Sequence, residues 1–256
     1  MLNSQRVKTL QNGPYQGRSV LYWMNRDKRV KDNWALLEAQ NLAIEKKAPL
    51  IVCFQYFGKF KEANIRQYSF LIKGLLELSN DLKLLNIDFY LIQGRAKHSI
   101  LKIINENSVG ALFVDYNPLK SYKRKIYNVV NRVSIPVYQV DAHNIIPVWV
   151  TSQKKEFAAY TIRKKIQNNL NTFLTDFPEI KRHPYGSVSS LNFAYQEIID
   201  KLDIDHGVKE VDWIEPGEDA ALRKLATLNE VLRGYSLLRN DPNKKALSNM
   251  SPYFHF

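Results

Sequence analysis

The sequence predicts an α/β fold: a five-stranded parallel sheet with helices on both faces, followed by a helical region that is incomplete. Two observations carry this. Short apolar runs alternate with amphipathic stretches from Ser19 to about residue 150, and right-handed crossovers turn that alternation into a parallel sheet covered on both sides. Beyond residue 150 the strand pattern stops and only helix-like and loop-like segments follow.

Residues 1–17 are polar, carry Gly13, Pro14 and Gly17, and read as a mobile leader or capping segment. Ser19 to Met24 is a strand by length and composition. Asp32 to Lys46 reads as a helix with Asp32 as its N-cap and Leu36, Ala39 and Ala43 on one face. Pro49 to Tyr56 is the second strand. Ile65, Tyr68, Leu71, Ile72, Leu75, Leu78, Leu82 and Leu85 recur at helical spacing and predict one long helix. Ile87 to Ile92 is the third strand, His98 to Asn105 a helix, Gly110 to Tyr116 the fourth strand, Tyr122 to Asn131 a helix, and Val137 to Val140 the fifth strand. Lys154 to Phe173 is a basic helix, Pro178 to Leu191 a loop, Glu197 to Ile204 a short helix, and Asp219 to about Arg239 a longer one. The resulting division is a leader at 1–17, the α/β domain at 18–150, a linker with connecting helices at 151–215, and a helical domain that starts at 216–256.

Composition narrows the function classes. Hydrophobic residues make up 45% of the 256 residues, enough for a core, and no stretch is apolar for long enough to span a bilayer. The start of the chain lacks a charged-then-apolar signal pattern, and Cys53 is the single cysteine, so a cytoplasmic protein without disulfides or cysteine metal sites is expected. The net charge of +12 favours a polyanionic partner, because Lys and Arg release the counterions of phosphates. Lys120, Lys123-Arg124-Lys125, Lys154-Lys155, Arg163-Lys164-Lys165 and Lys181-Arg182-His183 are the basic clusters, and each reads either as a phosphate track or as a solvated face.

Parallel sheets bind ligands beyond the carboxyl ends of their strands, near a switch in strand order. Those ends carry Asn25-Arg26-Asp27, Tyr56-Phe57-Gly58, Gln93-Gly94-Arg95, Asp115-Tyr116-Asn117 and Asp141-Ala142-His143-Asn144. The turn after the first strand has no glycine fingerprint, which excludes an ordinary NAD-binding domain. There is no phosphate-binding G-x-x-x-x-G-K-[ST] loop, no G-x-S-x-G elbow, and no metal-type cluster among the five histidines. Asp141 and His143 read as groups that fix the path of the chain leaving the sheet, not as a catalytic dyad. Arg26, Asp27 and Arg29 read as salt-bridged positioning groups, and Trp23, Trp34 and Trp149 as core.

Four strings go further. They are Tyr22-Trp23-Met24-Asn25-Arg26-Asp27 running on to Asp32-Asn33-Trp34-Ala35-Leu36; Val140-Asp141-Ala142-His143-Asn144-Ile145 with Pro147 and Trp149; Lys155-Glu156-Phe157-Ala158-Ala159-Tyr160-Thr161-Ile162-Arg163; and Arg239-Asn240-Asp241-Pro242 followed by Ala246-Leu247-Ser248-Asn249-Met250-Ser251-Pro252 and His255-Phe256. In this order and over nearly the whole chain they resemble the class II DNA photolyases, of the photolyase and cryptochrome family. That resemblance implies a Rossmann-like domain, then the start of an all-helical FAD-binding domain. It implies light-driven splitting of cyclobutane pyrimidine dimers in UV-damaged DNA by electron transfer from reduced FAD. It also implies an antenna chromophore, such as a deazaflavin, in the α/β domain.

By the same resemblance Leu247, Ser248, Asn249, Met250 and Ser251 meet the FAD phosphates, with Met250 standing where the family usually has Leu. Tyr235 stands where the family has a flavin-contacting tyrosine. From the residues alone, Ser248 and Ser251 read as a plain helix cap, and Tyr235 as either a core tyrosine or a flavin contact. The electron-transfer residues of the family fall beyond Phe256, so no catalytic residue is assigned, and the aromatic end after a Ser-Pro helix start predicts a helix cut short. The expected partners are damaged DNA and a missing C-terminal half, without a membrane. The alternatives are a stand-alone chromophore- or nucleotide-binding module and a cryptochrome-like photoreceptor.

Overall fold

The computed structural model describes residues 4–186 and 193–255. The expected serine-rich end of the 178–191 loop and the terminal Phe256 fall outside them. The elements run β1 (Val7–Gln11), β2 (Ser19–Met24), α1 (Trp34–Glu45), β3 (Leu50–Tyr56), α2 (Ile65–Leu84), β4 (Asp88–Gln93), α3 (Ala96–Glu106), β5 (Val109–Asp115), α4 (Lys120–Val130), β6 (Val137–Val140), α5 (Val148–Thr151), α6 (Ala159–Phe173), α7 (Tyr195–Ile199), α8 (Glu218–Ala226), α9 (Leu228–Leu232), α10 (Tyr235–Leu238) and α11 (Ser251–His255). The chain divides into two units, one of Met1–Phe57 with Asp81–Asn192 and the other of Gly58–Asn80 with Phe193–Phe256.

The first unit holds the sheet, in the order β1-β6-β5-β2-β3-β4. β2 to β6 are parallel, and they are the five strands expected from the apolar runs. The sheet has a sixth strand. β1 lies in the segment read as a leader and pairs antiparallel with β6, Val7 opposite Val140. Its sequence, Val-Lys-Thr-Leu-Gln, is half-exposed and polar, which suits an edge strand and gives little hydrophobic signal.

β2, β3 and β5 are buried along their whole length, as strands covered on both faces must be. On one face Leu21, Trp23, Ile51, Cys53, Leu112 and Val114 pack with Ile100, Ile103 and Ile104 of α3 and Ile126, Val129 and Val130 of α4. Each such side chain contributes roughly 1.5–3 kcal/mol by leaving water. α1 covers the other face, over β2. Gly17 and Gly110 permit the close entry of β2 beside β5: a Cβ on Gly17 would stand 2.3 Å from the Gly110 nitrogen, and one on Gly110 2.6 Å from the Tyr15 ring.

The cap of α1 differs from expectation. Asn33, not Asp32, accepts the first free amides, those of Ala35 and Leu36, both at 3.0 Å. Asp32 sits one residue earlier at φ 54°, in the left-handed region that Asp tolerates. Trp23 and Trp34 are core as expected, but Trp149 is only half-buried, its indole N–H donating to the Gln5 carbonyl at 2.8 Å.

In the second unit Glu210 accepts hydrogen bonds from Ser69 and Lys73 of α2 and from Tyr195 of α7. Glu77 of α2 accepts the Asp219 amide at 2.9 Å and so caps α8. Tyr253 of α11 packs on Phe70 with ring centroids 5.7 Å apart and donates to the Glu215 carbonyl. The single helix expected over 219–239 is three short ones, α8, α9 and α10, and neither α9 nor α10 buries a residue.

Candidate functional site

β2 is the switch strand of the first unit: the chain goes from it to β3 and β4 on one side and returns to β5 and β6 on the other. The crevice beyond the ends of β2 and β5 is therefore where a ligand of this fold class is expected. Its floor is the buried carboxylate of Asp115, at the end of β5. One oxygen accepts the Tyr22 hydroxyl at 2.7 Å, and the other accepts the amides of Asn25 and Arg26, both at 2.7 Å. Burial, reinforced by the nearby Asp27, lifts the Asp115 carboxyl to about 6 against those hydrogen bonds. Asn33 stands beside it and donates to the carbonyls of Asp27 and Arg29, both at 3.0 Å. The loop from Asn25 to Asp32 is thus pinned by side chains at both ends.

Asp27 pairs with Arg29 at 2.7 Å and with His143 Nδ1 at 3.3 Å. Burial works to raise its carboxyl, but His143 and Arg29 outweigh it and hold the group below the usual range. Asp141 accepts the amides of Asn144 at 3.1 Å and Val148 at 2.9 Å, together with the Asn144 side chain. It fixes the path of the chain leaving β6, as the sequence predicts, and it forms no dyad with His143.

Arg6 was not legible as part of this edge. It is 2% exposed and donates to the carbonyls of Asp141, Asn144, Ile145 and Phe173, with Trp34 stacked 4.8 Å from its guanidinium. A lone arginine in a polar segment carries no signal for that role.

Between the ends of β2 and β5 and the first turns of α4 lies a small cleft of about 10 Å³, room for about one water molecule, lined by Trp23, Asn25, Val114, Asp115, Tyr122, Lys125 and Ile126. Trp23 is 3% exposed, and its buried indole N–H meets no hydrogen-bond acceptor among the described residues. The Lys125 ammonium sits 4.1 Å from the centre of the Phe57 ring and 4.4 Å from that of Tyr122. Burial lowers the affinity of Lys125 for its proton. The crevice wall therefore carries a cation held against aromatic rings.

The residues expected at a cofactor lie in the second unit. Leu247 to Ser251 form one loop leading into α11. Met250 is buried at 6% exposure and anchors it, while Leu247 is 53% exposed. Asn249 is left-handed at φ 52°, and the Ser248 hydroxyl accepts the Met250 amide at 3.4 Å. Tyr235 opens α10, a separate helical turn, half-buried and with Arg239 5.7 Å over its ring.

Comparison with known proteins gives these features a lineage. The family model for DNA photolyase matches residues 20–182. A deoxyribodipyrimidine photo-lyase of Potorous tridactylus is 40% identical over 99% of this chain and 49% of its own length. One from Arabidopsis thaliana is 39% identical over 98% of this chain and 54% of its own length. The chain thus spans about half the length of the curated relatives it matches. Among solved structures, a Synechocystis cryptochrome superimposes with a TM-score of 0.72 over 96% of this chain and 53% of its own, at 16% identity. A class III photolyase from Agrobacterium tumefaciens superimposes with a TM-score of 0.65 over 96% and 51%, at 21% identity. The family match over most of the chain and the identity to these relatives agree with the fold on the page: the chain belongs to the DNA photolyase family.

Proposed function

We propose that this chain is the chromophore-binding and flavin-entry portion of a class II photolyase that uses light and FAD to repair cyclobutane pyrimidine dimers in DNA. The observation that carries the reading is the 40% identity to a deoxyribodipyrimidine photo-lyase across 99% of the chain. The class assignment rests on the four strings, Tyr22 to Leu36, Val140 to Trp149, Lys155 to Arg163 and Arg239 to Phe256.

The loop residues suit a flavin diphosphate. Ser248 and Ser251 bring two hydroxyls, Asn249 turns the backbone, Met250 holds the loop down, and Lys244 and Lys245 stand exposed just before it. In this reading Ser248, Asn249 and Ser251 donate to the phosphates, Leu247 covers them, and Tyr235 meets the flavin. FAD held there would supply light-driven electron transfer to and from the dimer. Base flipping brings the dimer within reach, and the exposed Lys154, Lys155, Arg163 and Lys164 add phosphate affinity. By resemblance the α/β domain would hold an antenna chromophore such as a deazaflavin. A chromophore-binding module is the second reading, favoured because every residue lining the cleft belongs to the first unit.

The test joins this chain after Phe256 to the half of the Potorous photo-lyase that it does not span. The purified fusion is expected to hold flavin, and Ser248→Ala with Ser251→Ala to lose most of it while circular dichroism stays unchanged. Full flavin retention in the double variant refutes the assignment of the loop.

A further inference from the structure

The sequence groups His183 with Lys181 and Arg182 in one basic cluster, but the fold separates them. Lys181 and Arg182 are exposed, whereas His183 is fully buried in the first unit. Its ring nitrogen Nε2 lies 2.9 Å from the carbonyl oxygen of Ala48, in the turn between α1 and β3. A carbonyl only accepts, so Nε2 carries the proton of this contact. Nδ1 is then a bare acceptor, and among the described residues it meets no partner. The backbone beside the ring is tied down at the same place. The His183 amide donates to the Leu85 carbonyl at 2.7 Å, and the Asn86 side chain donates to the His183 carbonyl at 2.8 Å, both in the turn between α2 and β4. The Gln40 side chain of α1 donates to the Lys181 carbonyl at 2.7 Å. Residues 181–186 thus form a strap over the amino ends of β3 and β4, at the opposite end of the sheet from the crevice, and His183 is the one buried residue of the strap.

Protonation makes two demands that this pocket does not meet. The imidazolium carries a second N–H, at Nδ1, where no acceptor stands, and a full charge that no carboxylate cancels. The charged residues on the segments around the ring are Glu45, Lys46 and Lys47 before Ala48, Asp81, Lys83 and Asp88 to either side of Asn86, and Glu179, Lys181 and Arg182 on the strap's own segment. None of them bonds to the ring, and Glu45 is taken by Lys46. Burial holds His183 below the ordinary 6.5, and the Ala48 carbonyl offsets only part of that effect.

We infer that His183 is an acid-operated latch: neutral, it locks residues 181–186 onto the amino ends of β3 and β4, and protonated, it releases them while the sheet stays folded. The released strap takes up a proton near the ordinary 6.5, and the locked strap only at lower pH. Locking is therefore complete above that value and weakens as pH falls below it. The strap is part of the connection from α6 to α7, so the latch sets how firmly that connection is held.

Hydrogen exchange of the His183 amide reads the lock directly. It is followed in the full chain from about pH 7 to about pH 5, as protection relative to the free-chain rate at each pH. Protection is expected to fall about tenfold over that range, while the amides of β5 keep theirs. His183→Gln keeps a donor for Ala48 but cannot take up a proton, so the amide at 183 is expected to stay protected throughout. Nitrogen-15 shifts of the ring need no variant, and the locked strap is expected to show the neutral Nε2–H form. Protection that does not change with pH, an acid loss that persists in His183→Gln, or a charged ring beneath a protected amide would each overturn the latch. A parallel loss of protection in β5 would overturn it as well, because the event would then be unfolding of the sheet.

Discussion

A single carboxylate, Asp115, holds the start of the β2–α1 loop through two backbone amides and the end of β2 through Tyr22. Replacing it with Ala leaves one buried hydroxyl and two half-buried backbone amides without this acceptor. Asp115→Ala is therefore expected to cost roughly 2–4 kcal/mol in urea unfolding; a loss below about 1 kcal/mol would mean that water replaces the carboxylate easily. The residues of this edge were legible unevenly. Asp141, Asp27 and Arg29 make the positioning contacts expected of them, whereas Arg26, expected to be salt-bridged with them, forms no ion pair among the described residues. Asn33 was passed over for Asp32 because both are good caps, and only the backbone angle of Asp32 decides between them. Arg6 and the unmet indole of Trp23 depend on contacts between distant parts of the chain, which no local pattern encodes.

At the scale of elements, the five parallel strands and the helices α1 to α4 follow from hydrophobic periodicity, and the predicted ends lie within a few residues of the observed ones. β1 escaped because an edge strand needs few apolar residues. The breaks between α8, α9 and α10 fall at Thr227 and at Arg233-Gly234, where threonine and glycine are weak helix formers and little burial around them offsets this. α9 and α10 bury nothing, so their amides are expected to exchange with solvent much faster than those of β2 and β5. Equal protection would show packing that the exposed side chains do not suggest.

Glu210 links α2 to α7 and gives that contact a pH dependence. Burial works to raise its carboxyl, but Lys73, Ser69 and Tyr195 hold it down at about 2, below the ordinary 4.5. A carboxyl depressed in the folded state stabilises above its unfolded value and loses that contribution as pH falls from about 4.5 toward 2. The thermal stability of the unaltered chain should fall as pH drops through that window, and Glu210→Gln should flatten the dependence. An unchanged profile in the variant would remove Glu210 from the account.

For the molecule as a whole, family and fold were legible because four strings keep their order along the chain and the sheet pattern is strong. Tyr235 and Leu247 to Ser251 were named as cofactor residues by resemblance; Leu247 to Ser251 lie together in the loop leading into α11, whereas Tyr235 opens α10. The crevice at the switch strand was anticipated as a class of place, but its lining could be named only once α4 was seen beside β2 and β5. The central claim is that this chain carries the entry to a dimer-splitting flavin site, and one measurement meets it directly. The fusion with the second half of the Potorous photo-lyase is mixed with UV-irradiated oligothymidylate, reduced and illuminated, and the ultraviolet absorbance of the bases is followed. The account predicts a rise in absorbance in the light, none in the dark, and a strongly reduced rise when Ser248 and Ser251 are both alanine. A folded, flavin-loaded fusion that leaves the absorbance unchanged in the light would contradict it.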